Sequence, residues 1–195
     1  MSIAPKRIWT EAEYLAFERS SEQKHEFLNG EIFAMAGAKE NHNLIVVNTI
    51  ASLHAQVRNR PCRVYPSDMR IKSIATGLYT YPDVIVVCDT PQFEDDERDT
   101  LHNPTVIIEV LSPSKEAYER GEKFQNHRTI KSVQECILIS QNNLLLEHYI
   151  RQHNHWLVNF LDTLGAVITL PSTDCTLSLS DVYEKVTFEN DDEES

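Results

Sequence analysis

Two carboxylates carry the chemistry open to this chain. Asp83 follows Tyr81-Pro82 and heads an unbroken apolar run, Val84-Ile85-Val86-Val87-Cys88; Glu109 lies inside a second run, Thr105-Val106-Ile107-Ile108-Glu109-Val110-Leu111. A carboxylate among Ile107, Ile108, Val110 and Leu111 must be paired, protonated or bound to a cation, because leaving it charged and unmatched costs several kcal/mol. The ordinary alternative is an edge strand with Glu109 turned to water, and the apolar residues on both sides weigh against it. If the two runs are neighbouring strands, they bring together two hard oxygen ligands of the kind Mg²⁺ prefers, with water and a substrate phosphate completing its shell. A centre of that type activates water for attack on phosphorus.

Other polar residues are secondary candidates. Glu31 follows a hairpin turn and His42 stands near the start of a long helix; each reads equally as a cap or surface group and as a proton shuttle or outer ligand. Glu26 and Asp68 share that ambiguity. His148, His153 and His155 resemble a metal cluster at first sight. However, Gln152-His153-Asn154-His155 has the composition of a polar turn, and no thiol stands at zinc-ligand spacing. With five glycines there is no phosphate-loop or dinucleotide fingerprint, and no Gly-x-Ser-x-Gly elbow supports acyl hydrolysis.

The elements that must position these residues follow from periodicity and turn chemistry. Thr10 and Glu13 form a capping-box pair opening a helix to about Arg19. Lys24 to Ala36 reads as a hairpin about Asn29-Gly30. Glu40 to Arg58 reads as a helix apolar over so wide an arc that most of it should be covered. Strands are expected at Arg63–Tyr65, Met69–Lys72, Val84–Cys88 and Thr105–Leu111, with a turn at Ala75-Thr76-Gly77 and an acidic loop from Gln92 to Asn103. A helix from about Lys115 to Ile130 follows, then strands at Glu135–Ile139, Leu144–Tyr149, Trp156–Phe160 and Ala166–Leu170 as a meander. Ser180 is the expected cap of a last helix towards Val186. A helix between the second and third buried strands is a βαβ crossover, so the class is α/β (α+β): a mixed central β-sheet flanked by helices, with an N-terminal hairpin. The absence of repeats and linkers gives one domain over residues 1–188 and an acidic, disordered tail over 189–195.

Composition narrows the function. The chain has 195 residues, 41% hydrophobic and 25% charged, the make-up of a soluble globular domain. No apolar run is long enough to span a bilayer, and residues 1–9 lack the apolar stretch of a signal peptide. The four cysteines are scattered; Cys88 and Cys136 adjoin apolar runs and read as buried thiols of a reducing cytoplasm. A formal net charge of −12 argues against loose binding to phosphate backbones. Part of that excess sits in Glu94-Asp95-Asp96-Glu97 and in the tail, read as solvated segments.

Taken in order, Glu26, Asn29-Gly30-Glu31, His42, Pro82-Asp83, Val106 to Glu109-Val110-Leu111-Ser112-Pro113-Ser114, and Lys123 make a pattern that resembles the PD-(D/E)xK nuclease superfamily. Within it, the pattern is similar to a large group of bacterial proteins called putative restriction endonucleases. The likeness runs from about Trp9 to Val186 and implies a restriction-endonuclease-like fold. It implies that Asp83, Glu109 and the backbone carbonyl of Val110 hold Mg²⁺, with Mn²⁺ as a substitute. The superfamily's lysine normally lies two residues after the glutamate, where this chain has Leu111. In this group it stands on the next helix, where Lys123 matches and Lys115 and Lys131 do not. The chain departs from the pattern at His127 and Cys136, where tyrosines are usual.

Three functions remain open on these grounds. The first is a Mg²⁺-dependent endonuclease on DNA, with Arg58, Arg60, Arg63, Arg70 and Lys72 on one face and a homodimer suited to duplex symmetry. The second is a non-catalytic descendant binding protein or nucleic acid, and the third a hydrolase of a small phosphate compound.

Overall fold

Thr10 opens the first helix as its side chain predicts. Its hydroxyl accepts the Glu13 N–H while the Glu13 carboxylate accepts the Thr10 N–H, closing the capping box on α1 (Glu11–Ser20). The Asn29-Gly30 turn folds β1 (His25–Leu28) onto β2 (Glu31–Ala34), both turn residues at positive φ, 51° and 83°, as a two-residue hairpin requires. The structure is a computed structural model that describes residues 7–112 and 118–188. Lys115 and the tail 189–195 lie outside the described residues.

After α2 (Glu40–Val57) come β3 (Arg63–Pro66), β4 (Arg70–Ser73), β5 (Leu78–Thr80), β6 (Val84–Val87), β7 (Thr100–Leu101) and β8 (Val106–Leu111). A π-helical turn, Glu119–Lys123, runs into α3 (Phe124–His127). The chain continues as β9 (Glu135–Ser140), β10 (Leu146–Gln152), β11 (His155–Leu161), β12 (Val167–Leu170), β13 (Cys175–Ser178) and α4 (Leu179–Val182).

The main sheet has six strands in the order β11-β10-β9-β8-β6-β3, and a second of five strands runs β2-β1-β5-β4-β7. In the main sheet β8 pairs antiparallel with β6 and parallel with β9, so the sheet is mixed as expected and the chain between β8 and β9 is the crossover. One face of β6 and β8 (Val84, Val86, Val106, Ile108, Val110) packs with Ile45, Leu53 and Val57 of α2. The other (Ile85, Val87, Ile107) packs with Phe124 of α3. Helices on both faces are why these strands read as continuous apolar runs.

Several local expectations need correction. α2 buries only one stripe, Ile45, Thr49, Leu53 and Val57, and Val47 is 56% exposed. The wide apolar arc contains Ala and His, which tolerate water. The acidic loop contains β7, and some of its acids are partnered, Glu94 with Lys72 and His102 and Asp95 and Asp99 with Arg19, whereas Asp96 and Glu97 are exposed as expected. The helix expected to reach Ile130 ends at His127, and Ile130 turns into the core beside Val133. Ser178, not Ser180, is the N-cap residue of α4. β12 leaves the meander to pair with β13, a strand the sequence did not signal. Cys62 and Cys88 form a disulfide rather than holding a free thiol. They stand one step beyond the Arg63↔Val87 pair of β3 and β6, a proximity that their separation of 26 residues conceals. Among the described residues no helix is long and apolar enough to cross a membrane.

Candidate active site

The register of the main sheet builds the site. Val84 stands opposite Ile108, so the next step sets Asp83 opposite Glu109, and opposed residues point to the same face of a sheet. Both carboxylates line one cleft of about 600 Å³, together with Val110, His42, Lys123, Lys24, Lys39 and Tyr81. Two acids remote in the chain are therefore brought together by adjoining strands.

Each side chain is held by a different element. The Val110 N–H donates to Asp83 Oδ2 at 2.7 Å, and His42 Nε2 of the first turn of α2 lies 3.1 Å from Asp83 Oδ1. A strand residue sends its N–H and C=O to the same flank, so the Val110 carbonyl faces the side on which Asp83 lies. Glu109, 3% exposed, is reached from the helix: Lys123 Nζ is 2.9 Å and His127 Nε2 3.2 Å from its Oε1. Lys123 and His127 are one turn apart, so both face the same carboxylate. Lys123 also lies 3.3 Å from Glu26 of β1, whose carboxylate accepts the Thr80 hydroxyl. The lysine thus bridges acids from the two sheets.

Burial sets the charges. It pushes the Glu109 carboxyl well above its ordinary pKa, an effect that Lys123 opposes and Asp83 reinforces. Burial alone would discharge Lys123, yet Glu109 and then Glu26 hold its pKa above the usual lysine range. Burial, followed by repulsion from Lys123, presses His127 down to about 3, so its imidazole is neutral near pH 7.

The donor set suits a hard divalent cation. Glu109 Oε1 is buried without a well-directed hydrogen bond, close as Lys123 and His127 are. Asp83 adds a second carboxylate and Val110 a carbonyl, all oxygen donors. Among the described residues no three His, Cys, Asp or Glu side chains converge as a metal cluster. A cation there would keep open positions for water and substrate, the mode of binding typical of Mg²⁺.

The remaining candidates fall elsewhere. Glu31 shares a hairpin face with Glu26 but stands two register steps nearer the turn, outside the lining of the cleft. Asp68 is exposed and pairs with Lys24. Of the proposed basic face, Arg70 is 2% exposed and bonded to Thr100, Tyr81 and Asp99, and Lys72 is held by Glu11 and Glu94. Arg60 is directed to the Thr173 and Asp174 carbonyls. Partners remote in sequence use up these cations. Lys24 and Lys39, not singled out from the sequence, stand at the cleft instead; the one signal was that Lys24 opens the hairpin and Lys39 precedes the long helix.

Comparison with known proteins bears on the family and the fold. A family model described as "Uma2: Putative restriction endonuclease" matches residues 11–180. An uncharacterised protein of Synechocystis sp. (sll1609) is 39% identical over 149 residues, covering 76% of this chain and 84% of the relative. A second from the same organism (slr1290) is 34% identical over 147 residues, covering 75% and 76%. A crystal structure described as a putative nuclease belonging to DUF820, from Anabaena variabilis, superposes with a TM-score of 0.72 at 19% identity, over 90% of this chain and 98% of that one. At that identity the likeness establishes the fold.

Proposed function

Since the chain belongs to the Uma2 family of restriction-endonuclease-like proteins, we propose that it is a divalent-metal-dependent endonuclease hydrolysing phosphodiester bonds in DNA. The observation that carries this reading is the meeting of Asp83 and Glu109 across β6 and β8, with Lys123 Nζ 2.9 Å from Glu109. Asp83, Glu109 and the Val110 carbonyl would hold Mg²⁺, for which Mn²⁺ substitutes. When bound, the ion supplies Lewis acidity towards the phosphate and lowers the pKa of water.

The protein's own groups do the rest. Asp83 is fixed by the Val110 N–H and His42, so its carboxylate needs no reorganisation to bind. Lys123, held charged between Glu109 and Glu26, places a buried cation where negative charge grows on the phosphate. His127, neutral, adds no charge to compete with it. Lys39 at the rim of the cleft offers the flanking phosphates a local positive edge on a chain of net charge −12.

The test combines binding with cleavage. Mg²⁺ or Mn²⁺ affinity by calorimetry should be lost in both Asp83→Ala and Glu109→Ala, together with nicking of plasmid or single-stranded DNA. Lys123→Ala should abolish turnover with metal affinity nearly intact. Metal binding without DNA cleavage would point to a small phosphate substrate. The overall acidity favours a second reading, a non-catalytic binding protein, which predicts no metal affinity at all.

A further inference from the structure

The strand at one end of the main sheet lacks the features that protect the others. Among the described residues β11 pairs with β10 alone, which leaves its outer edge without a strand partner. Exposed edges invite pairing with another strand, and proteins blunt them with charge, proline or brevity. The opposite edge, β3, carries Arg63 and Pro66 and spans four residues. In the smaller sheet the edges are β2, with four residues and Glu31, and β7, with two. β11 runs for seven residues, His155-Trp156-Leu157-Val158-Asn159-Phe160-Leu161, without a formal charge or a proline.

One of its faces is wholly apolar, and on the other Leu157 and Leu161 alternate with His155 and Asn159. The register with β10 puts Trp156, Val158 and Phe160 on the face shared with Tyr149, and Leu157 and Leu161 on the face shared with Leu146. An antiparallel strand with one solvated face sets polar residues there; β11 instead carries three apolar residues on one face and two more on the other. Yet Phe160 is 64% exposed, Leu157 43% and Val158 36%, with Leu164 and Val167 exposed just beyond.

We propose that two copies of the chain pair through β11, antiparallel and about a two-fold axis, to form one continuous sheet. A two-fold axis perpendicular to the sheet keeps each face on its own side, so opposed residues must share a face. Full overlap of the strand then sets Val158 against its own copy and Trp156 against Phe160 of the second copy, twice. The pairing yields two cross-strand aromatic contacts on the face packed by α3, where Trp156 is already seated edge-on against Phe124. Charge selects the same orientation. Asp162, just past the strand, falls beside the His153-Asn154-His155 turn of the other copy, whereas parallel pairing would bring Asp162 against Asp162. The occupant of this edge is thus a second copy, and the pairing does not depend on any activity of the cleft.

Sedimentation equilibrium of the full chain tests this. The wild type should show twice the mass of one chain, and Phe160→Lys should halve it with an unchanged circular dichroism spectrum. Val158→Cys supplies an independent readout, because Cys136 and Cys175 are buried and the other two cysteines are bonded to each other. Mild oxidation should link this variant into a covalent dimer that reduction reverses. A monomeric wild type, a dimer indifferent to a folded Phe160→Lys, or a dimer of the Val158→Cys variant that oxidation fails to link would each overturn the proposal.

Discussion

Replacing Lys123 by Met keeps the shape of a buried side chain and removes only its charge. Lys123 is 4% exposed, with Glu109 at 2.9 Å and Glu26 at 3.3 Å. Taking away one partner of a buried ion pair costs about 3–5 kcal/mol, because the remaining charge is left uncompensated. For a chain of this length each kcal/mol moves the melting temperature by about 2–4 °C, so Lys123→Met should melt roughly 6–20 °C lower in EDTA near neutral pH. The deficit should depend on pH in a definite direction. Glu109 already has a raised pKa in the fold, and losing Lys123 raises it further. A group whose folded pKa exceeds its unfolded value stabilises fully below the unfolded pKa and loses that contribution as pH rises. The gap between variant and wild type should therefore widen from about pH 5 to about pH 8. Differential scanning calorimetry across that range, with and without Mg²⁺, is the assay, and the ion should restore much of the loss by neutralising the carboxylates. A deficit under about 1 kcal/mol that does not change with pH would refute the reasoning.

Two further outcomes follow from the charged network. His127 titrates near 3 in the fold against about 6.5 when unfolded, so its contribution is intact above the unfolded value and is lost as pH falls from 6.5 towards 3. Urea denaturation of metal-free protein should show His127→Gln losing up to one proton of that dependence, about 1.4 kcal/mol per pH unit; identical slopes would contradict the burial of a neutral ring. Asp99, hydrogen-bonded by Arg19 and paired with Arg70, is depressed to about 2. Its stabilisation is present above the unfolded pKa of about 3.8 and disappears as pH falls to about 2, so acid unfolding of Asp99→Asn should be less steep there than in the wild type.

The site's two acids were legible because burial leaves a mark on the sequence: a carboxylate inside an apolar run requires an explanation, and the adjoining strands supply the geometry. Lys123 was legible by family likeness alone, since a lysine on a helix carries no local sign of being buried. Glu26 was ambiguous for a related reason. Its importance lies in a contact with Lys123 almost a hundred residues on, made across two sheets that sequence periodicity does not separate. The hairpin and α1 were readable because Asn-Gly turns and capping boxes are local devices. β13 and the Cys62–Cys88 bond were not, because strand pairing joins residues with no local signature. The basic face was legible only in part: Arg58 and Arg63 are exposed, but sequence shows where Arg70 and Lys72 lie and not the acids that occupy them.

Anomalous diffraction from crystals soaked in Mn²⁺ tests the metal centre most directly. The expected result is one strong peak bonded to a carboxylate oxygen of Asp83, one of Glu109 and the carbonyl of Val110, at roughly 2.0–2.6 Å. Cleft carboxylates free of any peak at saturating Mn²⁺, or an ion bound away from them, would contradict it.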